Sequence, residues 1–287
     1  MPKRHILLPF ILILAALCEP AIAQGLVDED GLSAFRPFWS FNTTVTHSAQ
    51  EGGQTSNDLN LTASWTLAEA GHNISLGATG GNRKLDGERT SYGNLTLGGG
   101  LGWGAFFPSL ALTGGSGGKG LRTGSIALNL DFEVARFLTL GLGVSAQTER
   151  HTGTAQELLG TTGLFAGRAL EITSLSKTGG VSARTRPWDW MSFSLAFDRT
   201  LNHTEGIRDV KSGRGLQNTG GSGSTISGSA GLGFNISKHW SAGFSHQRGR
   251  DFYPGENYYL PRLGSTVNFS GGSSTFWGSS LWVGYSF

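Results

Sequence analysis

Apolar side chains recur at every second position through most of this chain, and that period confines it to β-sheet. Ile126, Leu128, Leu130, Phe132 and Val134 alternate with Ala127, Asn129, Asp131 and Glu133, and the same beat runs through Leu138–Ser145 and Met191–Asp198. Successive residues of a strand point to opposite faces, so each run has one apolar face and one small or polar face. The 3.6-residue beat of an amphipathic helix is missing. Only 15% of the residues are charged, against about 25% in ordinary soluble domains. Glycine supplies 46 of 287 residues without a three-residue period, which excludes collagen, and a net charge of +2 gives no footprint for nucleic acid.

Reading outward from these runs predicts about twelve strands, the even number expected of a bacterial barrel. They cover residues 37–48, 59–67, 72–80, 92–102, 108–115, 122–134, 137–148, 170–186, 191–202, 224–236, 240–250 and 274–287. Parity slips between Ile172 and Val181, so a bulge is expected in the eighth strand. Short turns at Ala68–Gly71, Trp103–Phe107, Ala135-Arg136, Arg186–Trp190 and Ser237–His239 alternate with longer connections over 49–58, 81–91, 116–121, 149–169, 203–223 and 251–273. That is the layout of a transmembrane antiparallel up-and-down β-barrel, with both termini expected on the short-turn, periplasmic side.

Lys3 and Arg4 precede an apolar run, Ile6–Leu17, and Ala21-Ile22-Ala23 is a small-x-small cleavage site. Residues 1–23 therefore read as a secretory signal peptide, 24–36 as a short acidic periplasmic tail and 37–287 as the barrel. Leu17 is not the small residue that lipoprotein modification of Cys18 would need. No other run approaches the ~18 apolar residues of a membrane helix. Cleavage removes the one cysteine and the histidines are isolated, so neither a metal nor another cofactor is expected.

Trp39, Trp65, Trp103, Trp188, Trp190 and Trp240 fall near the short turns, where an interfacial aromatic girdle sits. Charges such as Arg83, Lys84, Asp86, Glu88 and Arg89 collect in the longer connections. The chain stops on Leu281-Trp282-Val283-Gly284-Tyr285-Ser286-Phe287. An alternating final strand that ends on Phe resembles the assembly signal of Gram-negative outer-membrane β-barrel proteins, with Leu281, Val283, Tyr285 and Phe287 in the matching outward positions. The resemblance implies recognition by the outer-membrane barrel insertion machinery, a surround of outer-membrane lipid and lipopolysaccharide, and a porin-like fold.

Several motifs that look like chemistry have simpler readings. Asn-x-Ser/Thr occurs at Asn42, Asn60, Asn73, Asn94, Asn202, Asn235 and Asn268. Residues i and i+2 share a strand face, so these are polar lumen positions rather than glycosylation sites. Gly114-Gly115-Ser116-Gly117-Gly118 matches a nucleophile elbow but has no following helix, and Gly141-x-Gly143-x-x-Ala146 lies inside a strand. A barrel hydrolase would need a lipid-facing Ser–His pair. His246, His47 and His203 have no hydroxyl two residues away, so only a cross-strand pair could serve. No enzyme is expected.

The inward positions are mostly Asn, Ser, Thr and Gly, with a few charges: Asn129, Asp131, Glu133, Arg184, Arg186 and Asp198 are the lumen-lining and selectivity candidates. Their mixed sign fits either a pore without strong ion preference or a bracing salt-bridge network. Arg250, Asp251, Tyr253, Tyr258, Tyr259 and Arg262 in the last long connection are candidates for a loop constriction or for solute contact. The expected function is a hydrophilic pore of modest width for small polar solutes. The alternative is a structural or interaction barrel in an envelope assembly, its lumen blocked by a loop; the protein partner of such an assembly is not legible.

Overall fold

The computed structural model describes residues 36–51, 55–69, 72–85, 88–154, 169–212, 215–218, 223–260 and 265–287. The expected signal peptide and almost all of the acidic tail lie outside them. The elements are β1 (Arg36–Gln50), β2 (Thr55–Glu69), β3 (His72–Leu85), β4 (Glu88–Gly100), β5 (Phe106–Gly117), β6 (Arg122–Ala135), β7 (Leu138–Thr154), β8 (Ala169–Trp188), β9 (Met191–Asp209), β10 (Gly215–Asn218), β11 (Gly223–Asn235), β12 (Trp240–Tyr253), β13 (Glu256–Leu260), β14 (Ser265–Phe269) and β15 (Gly272–Ser286). Among the described residues no helix is long and apolar enough to cross a membrane.

Each long strand pairs antiparallel with its sequence neighbours from β1 to β9, and the wall continues β9–β11–β12–β15. β15 then pairs with β1 from Ser40↔Ser286 to Gln50↔Phe276, which closes a twelve-strand barrel. The strands are tilted. A path of paired residues that leaves β1 at Ser40 returns through Gly223, Tyr253 and Gly272, beyond the residue that faces Gln50. Tilt of this kind is what closing a flat ladder into a cylinder requires.

The apolar side chains are on the outside. Leu95, Leu142, Leu195 and Leu281 are 59%, 59%, 62% and 64% exposed, whereas Leu170 and Ile207 are the buried apolar side chains among the described residues. A water-soluble fold would do the reverse; a monomer rarely exposes an apolar patch beyond a few hundred Å². Lipid is the solvent that this surface requires.

Aromatic rings bound the belt at the short-turn end. Trp39 pairs with Trp65, Trp188 stacks on Trp190 with centroids 5.7 Å apart, and Phe41 stacks on Phe287 at 6.1 Å. At the other end Trp277 meets His47 at 5.4 Å and His246 at 6.4 Å. From Trp277 to Phe287 is ten residues of one strand. At roughly 3.3 Å each and a tilt of about 40°, they span roughly 25 Å, the height of an outer-membrane apolar band. The final turn seals on itself, since Trp39 and Phe287 exchange both backbone hydrogen bonds at 3.0 Å. At the far end Glu51 accepts from Thr275 N–H (3.1 Å) and Oγ–H (2.6 Å), which holds its carboxyl below the ordinary carboxylate range. That tie is complete at neutral pH and is released only on acidification through the lowered value.

The structure departs from the sequence reading in two ways. Strands run further toward the long-connection end than expected: β3 and β4 leave only residues 86–87 between them, and β7 continues to Thr154. The charges at Arg83, Lys84, Glu88 and Arg89 are therefore on strand ends, because above the membrane a strand no longer needs an apolar face. The bulge belongs to β9 rather than β8: Thr173 faces Gly206 and Ser174 faces Thr204, so Glu205 is the extra residue.

Leu142 faces lipid between Leu130 and Val181. We expect Leu142→Arg to destabilise the barrel by about 2–4 kcal/mol in urea unfolding from lipid vesicles. Ser145→Arg, on the opposite face of β7, should cost much less.

Candidate functional site

Strand parity carries through the membrane-spanning part of the wall, and the inward set follows from register once the extra residue at Glu205, which turns Ile207 and Asp209 inward, is allowed for. Hydroxyl pairs form rungs across neighbouring strands: Ser40–Ser64 at 2.6 Å, Thr62–Thr79 at 2.9 Å, Thr96–Thr113 at 3.0 Å and Thr178–Thr200 at 2.8 Å. Each group bonds its neighbour and stays short, which lines the barrel without filling it. Tyr92 reaches Asn60 across the glycine at position 81, and a Cβ there would meet the Tyr92 ring at 2.8 Å.

Between β6 and β9 this wall forms a recess of about 200 Å³. Its floor is Gly141, Gly143 and Gly180, and Asn129, Asp131, Ser145, Thr178, Ser182 and Asp198 stand around it. The glycines are a spatial requirement. A Cβ at position 141 would come within 2.7 Å of Asp131 Oδ1, one at 143 within 2.8 Å of Asn129 Oδ1, and one at 180 would overlap Asp198 Oδ1. Asp131 and Asn129 therefore lie over the floor from one side and Asp198 from the other.

Glu133, Thr139 and Arg184 share one row toward the short-turn end, and Arg186 lies one turn-ward position beyond, its N–H bonded to Phe137 O at 2.8 Å. Asp131, Glu133 and Asp198 make no ion pair with Arg184 or Arg186 among the described residues. The ion pairs described are Arg150–Glu171 and His151–Glu149 (3.3 Å). The wall charges line the lumen without the bracing network that their signs allowed.

The constriction candidates divide. Arg250 faces outward, donating to Ser273 Oγ from Nε (3.2 Å) and Nη2 (2.7 Å), with its guanidinium 5.3 Å from the Phe252 ring centroid. Asp251 faces inward, accepting from Thr225 Oγ–H at 2.7 Å and Gln50 Nε2 at 3.4 Å. Tyr253 also faces inward and donates to Ser274. Tyr258 and Tyr259 are on β13, whose backbone pairs with β10 at Asn218 and Gln217, so the two long connections are joined by strand pairing. Arg262 lies outside the described residues.

Sequence reading missed Glu149 and His151. Glu149 accepts from Gln147 Nε2 at 2.6 Å on one oxygen and faces His151 Nε2 on the other. The signal was present: the inward parity of Ser145 carries on through Gln147, Glu149 and His151. It also missed a dry spot. Leu170, Ile172 and Ile207 occupy the inward side near the long-connection end, and Leu170 and Ile207 are 0% and 2% exposed.

On the lipid side the structure supplies a cross-strand histidine–serine contact. His246 Nδ1 is 2.9 Å from Ser279 Oγ, and in the same row His47 Nδ1 is 2.8 Å from Asn57 Oδ1. Trp277 packs beside both imidazoles, so this polar row forms the upper edge of the belt. No described partner orients the other nitrogen of His246 as a general base requires.

Water access can be read with single thiols, since Cys18 is the one native cysteine. We expect a membrane-impermeant hydrophilic thiol reagent to modify Ser145→Cys and Thr96→Cys in vesicles, and to leave Leu142→Cys and Leu97→Cys untouched.

No family model matches this chain. No curated protein matches it either. Solved structures do. An outer membrane channel from Pseudomonas putida is 9% identical with a TM-score of 0.54, over 91% of this chain and 100% of that one. The β-domain of the Bordetella autotransporter BrkA is 13% identical, with a TM-score of 0.49 over 89% and 100%. The KdgM porin in complex with disordered oligogalacturonate is 10% identical, with a TM-score of 0.46 over 86% and 99%. With its wall closed, its belt turned to lipid and its polar face turned inward, this chain has the fold of a twelve-strand outer-membrane β-barrel.

Proposed function

We propose that this protein is a passive outer-membrane pore of modest width for small polar solutes, with both chain ends on the periplasmic side and residues 1–23 removed as a signal peptide. The observation that carries the reading is the inward face itself. It is mostly short hydroxyls, amides, glycines and a few charges, interrupted by the aromatic rings of Tyr92, Tyr253, Phe276 and Trp282 lying along the wall and by the small Leu170, Ile172 and Ile207 cluster. About eight strands can be filled by their own side chains, and 16–18 leave an aqueous channel. Twelve strands with short inward groups leave space between those limits. Lipopolysaccharide surrounds the outer end, where Lys177, Arg199, Arg248 and Arg250 face outward beside the upper aromatic edge. The last strand, through Leu281, Val283, Tyr285 and Phe287, is what the insertion machinery reads. No catalytic step is assigned.

A second reading has one observation in its favour. The β10–β13 pairing ties the two long connections together near the dry Leu170–Ile207 contact, which suits a barrel capped by its own loops. Single-channel recording in a planar bilayer separates the two. Discrete steps from the wild type support the open pore. Steps only from a variant lacking residues 256–269 mean a hairpin-capped barrel. Silence from both, with folding verified by heat-modifiable gel mobility, overturns the pore. The same preparation should show no labelling of Ser279 by a serine-directed fluorophosphonate; labelling that requires His246 would make the outer row a hydrolytic site.

A further inference from the structure

We infer that the lumen prefers cations, so that the pore proposed above passes small cationic and neutral polar solutes and discriminates against anions. The inference rests on the pore reading and on how the closed wall sorts its charges. Toward the short-turn end the inward carboxylates of Asp131 and Glu133 are offset by the inward Arg184 and Arg186. Asp58 pairs with position 83 in the β2–β3 ladder and is set aside from this count. Four further inward carboxylates remain, Glu149, Asp198, Asp209 and Asp251; Glu149 faces His151 Nε2 at 3.3 Å and Asp209 accepts from Lys211 and Ser212 N–H, and no arginine or lysine with a described side chain occupies inward parity on the strands beside them.

The other arginines and lysines on the strands whose side chains are described are on the wall's outer side. Arg122, Arg150, Lys177, Arg199, Arg248 and Arg250 all occupy outward parity, several directly beside an inward acid in sequence: Glu149-Arg150, Asp198-Arg199 and Arg250-Asp251. One outward carboxylate, Glu171, is taken up by Arg150. A chain with nearly balanced charge thus becomes a barrel with an acidic interior and a basic outer collar. In sequence the paired signs cancel; on a strand they point to opposite faces.

Three of these acids, Asp251, Asp198 and Glu149, are also held in place. Asp251 is fixed by Thr225 and Gln50, and Gln50 is itself bonded to Ser274 at 2.7 Å. Thr225 accepts from Asn202 Nδ2 at 3.2 Å. Asp198 lies over the glycine at position 180, so its carboxylate stays at the wall of the lumen. Glu149 is held by Gln147. A surplus of one sign inside a low-dielectric wall concentrates counter-ions and repels co-ions.

The test is the reversal potential in a planar bilayer under a roughly tenfold KCl gradient at low salt, where screening is weakest. The measurement is made near about pH 8, where an ordinary imidazole is neutral. We expect the potential to have the sign of a cation-selective pore, with potassium favoured over chloride by about threefold or more. The triple variant Glu149→Gln, Asp198→Asn, Asp251→Asn should bring the ratio close to one. Steps with a null or anion-signed potential overturn this inference and leave the pore reading intact. Absence of steps overturns the pore reading, and a second measurement then judges the charge reading separately. A cationic thiosulfonate should label Ser145→Cys faster than an anionic one by about threefold or more, after correction for a free thiol. Equal rates, or a faster anionic reagent, overturn the inference.

Discussion

Backbone hydrogen bonding inside a bilayer governs everything else about this protein. An unpaired N–H or C=O in hydrocarbon costs several kcal/mol, so a sheet can cross only if it has no edge. The β1–β15 ladder removes that edge, pairing the two ends of the wall from Ser40↔Ser286 to Gln50↔Phe276. The reciprocal bonds between Trp39 and Phe287 complete the closure at the terminal residue. Tilt, strand number and the two-faced wall all follow from it.

Closure also inverts the usual division of side chains. The belt is apolar because lipid is outside, and the lumen is polar because nothing else is available to fill it. The inward groups are short enough to bond one another across neighbouring strands, as Thr62 does with Thr79 and Thr178 with Thr200. Glycine takes positions where a neighbour's polar group lies flat on the wall, as Asp131 does over Gly141 and Asn129 over Gly143. These choices leave polar groups, rather than an apolar core, along much of the inner wall.

The charges show how one strand serves two solvents. Glu149 and Arg150 are adjacent in the chain, yet one faces the lumen with Gln147 and His151 while the other pairs outward with Glu171. Arg250 and Asp251 divide in the same way, the arginine over Phe252 and the carboxylate on Thr225. Where strands stand above the membrane the outer face no longer needs to be apolar, and the alternation is then between two kinds of polar residue.

That is also where sequence reading lost resolution. Within the membrane the alternation Leu140, Leu142, Val144 against Gly141, Gly143, Ser145 made strand, face and barrel class legible, and the aromatic residues at the short turns marked one end of the belt. The twelve-strand antiparallel barrel was legible for the same reason: a side-chain period of two has only one phase that puts leucine in lipid. Above the membrane that contrast disappears, so β7 was cut short before Glu149 and the bulge at Glu205 was assigned to the wrong strand. Only the tertiary structure decided that the two long connections pair through β10 and β13, and that Glu149 and Asp251 each find inward partners, Gln147 and His151 for one and Thr225 and Gln50 for the other. Those outcomes depend on register between strands far apart in sequence, and register is set by closing the ring, which no single segment encodes.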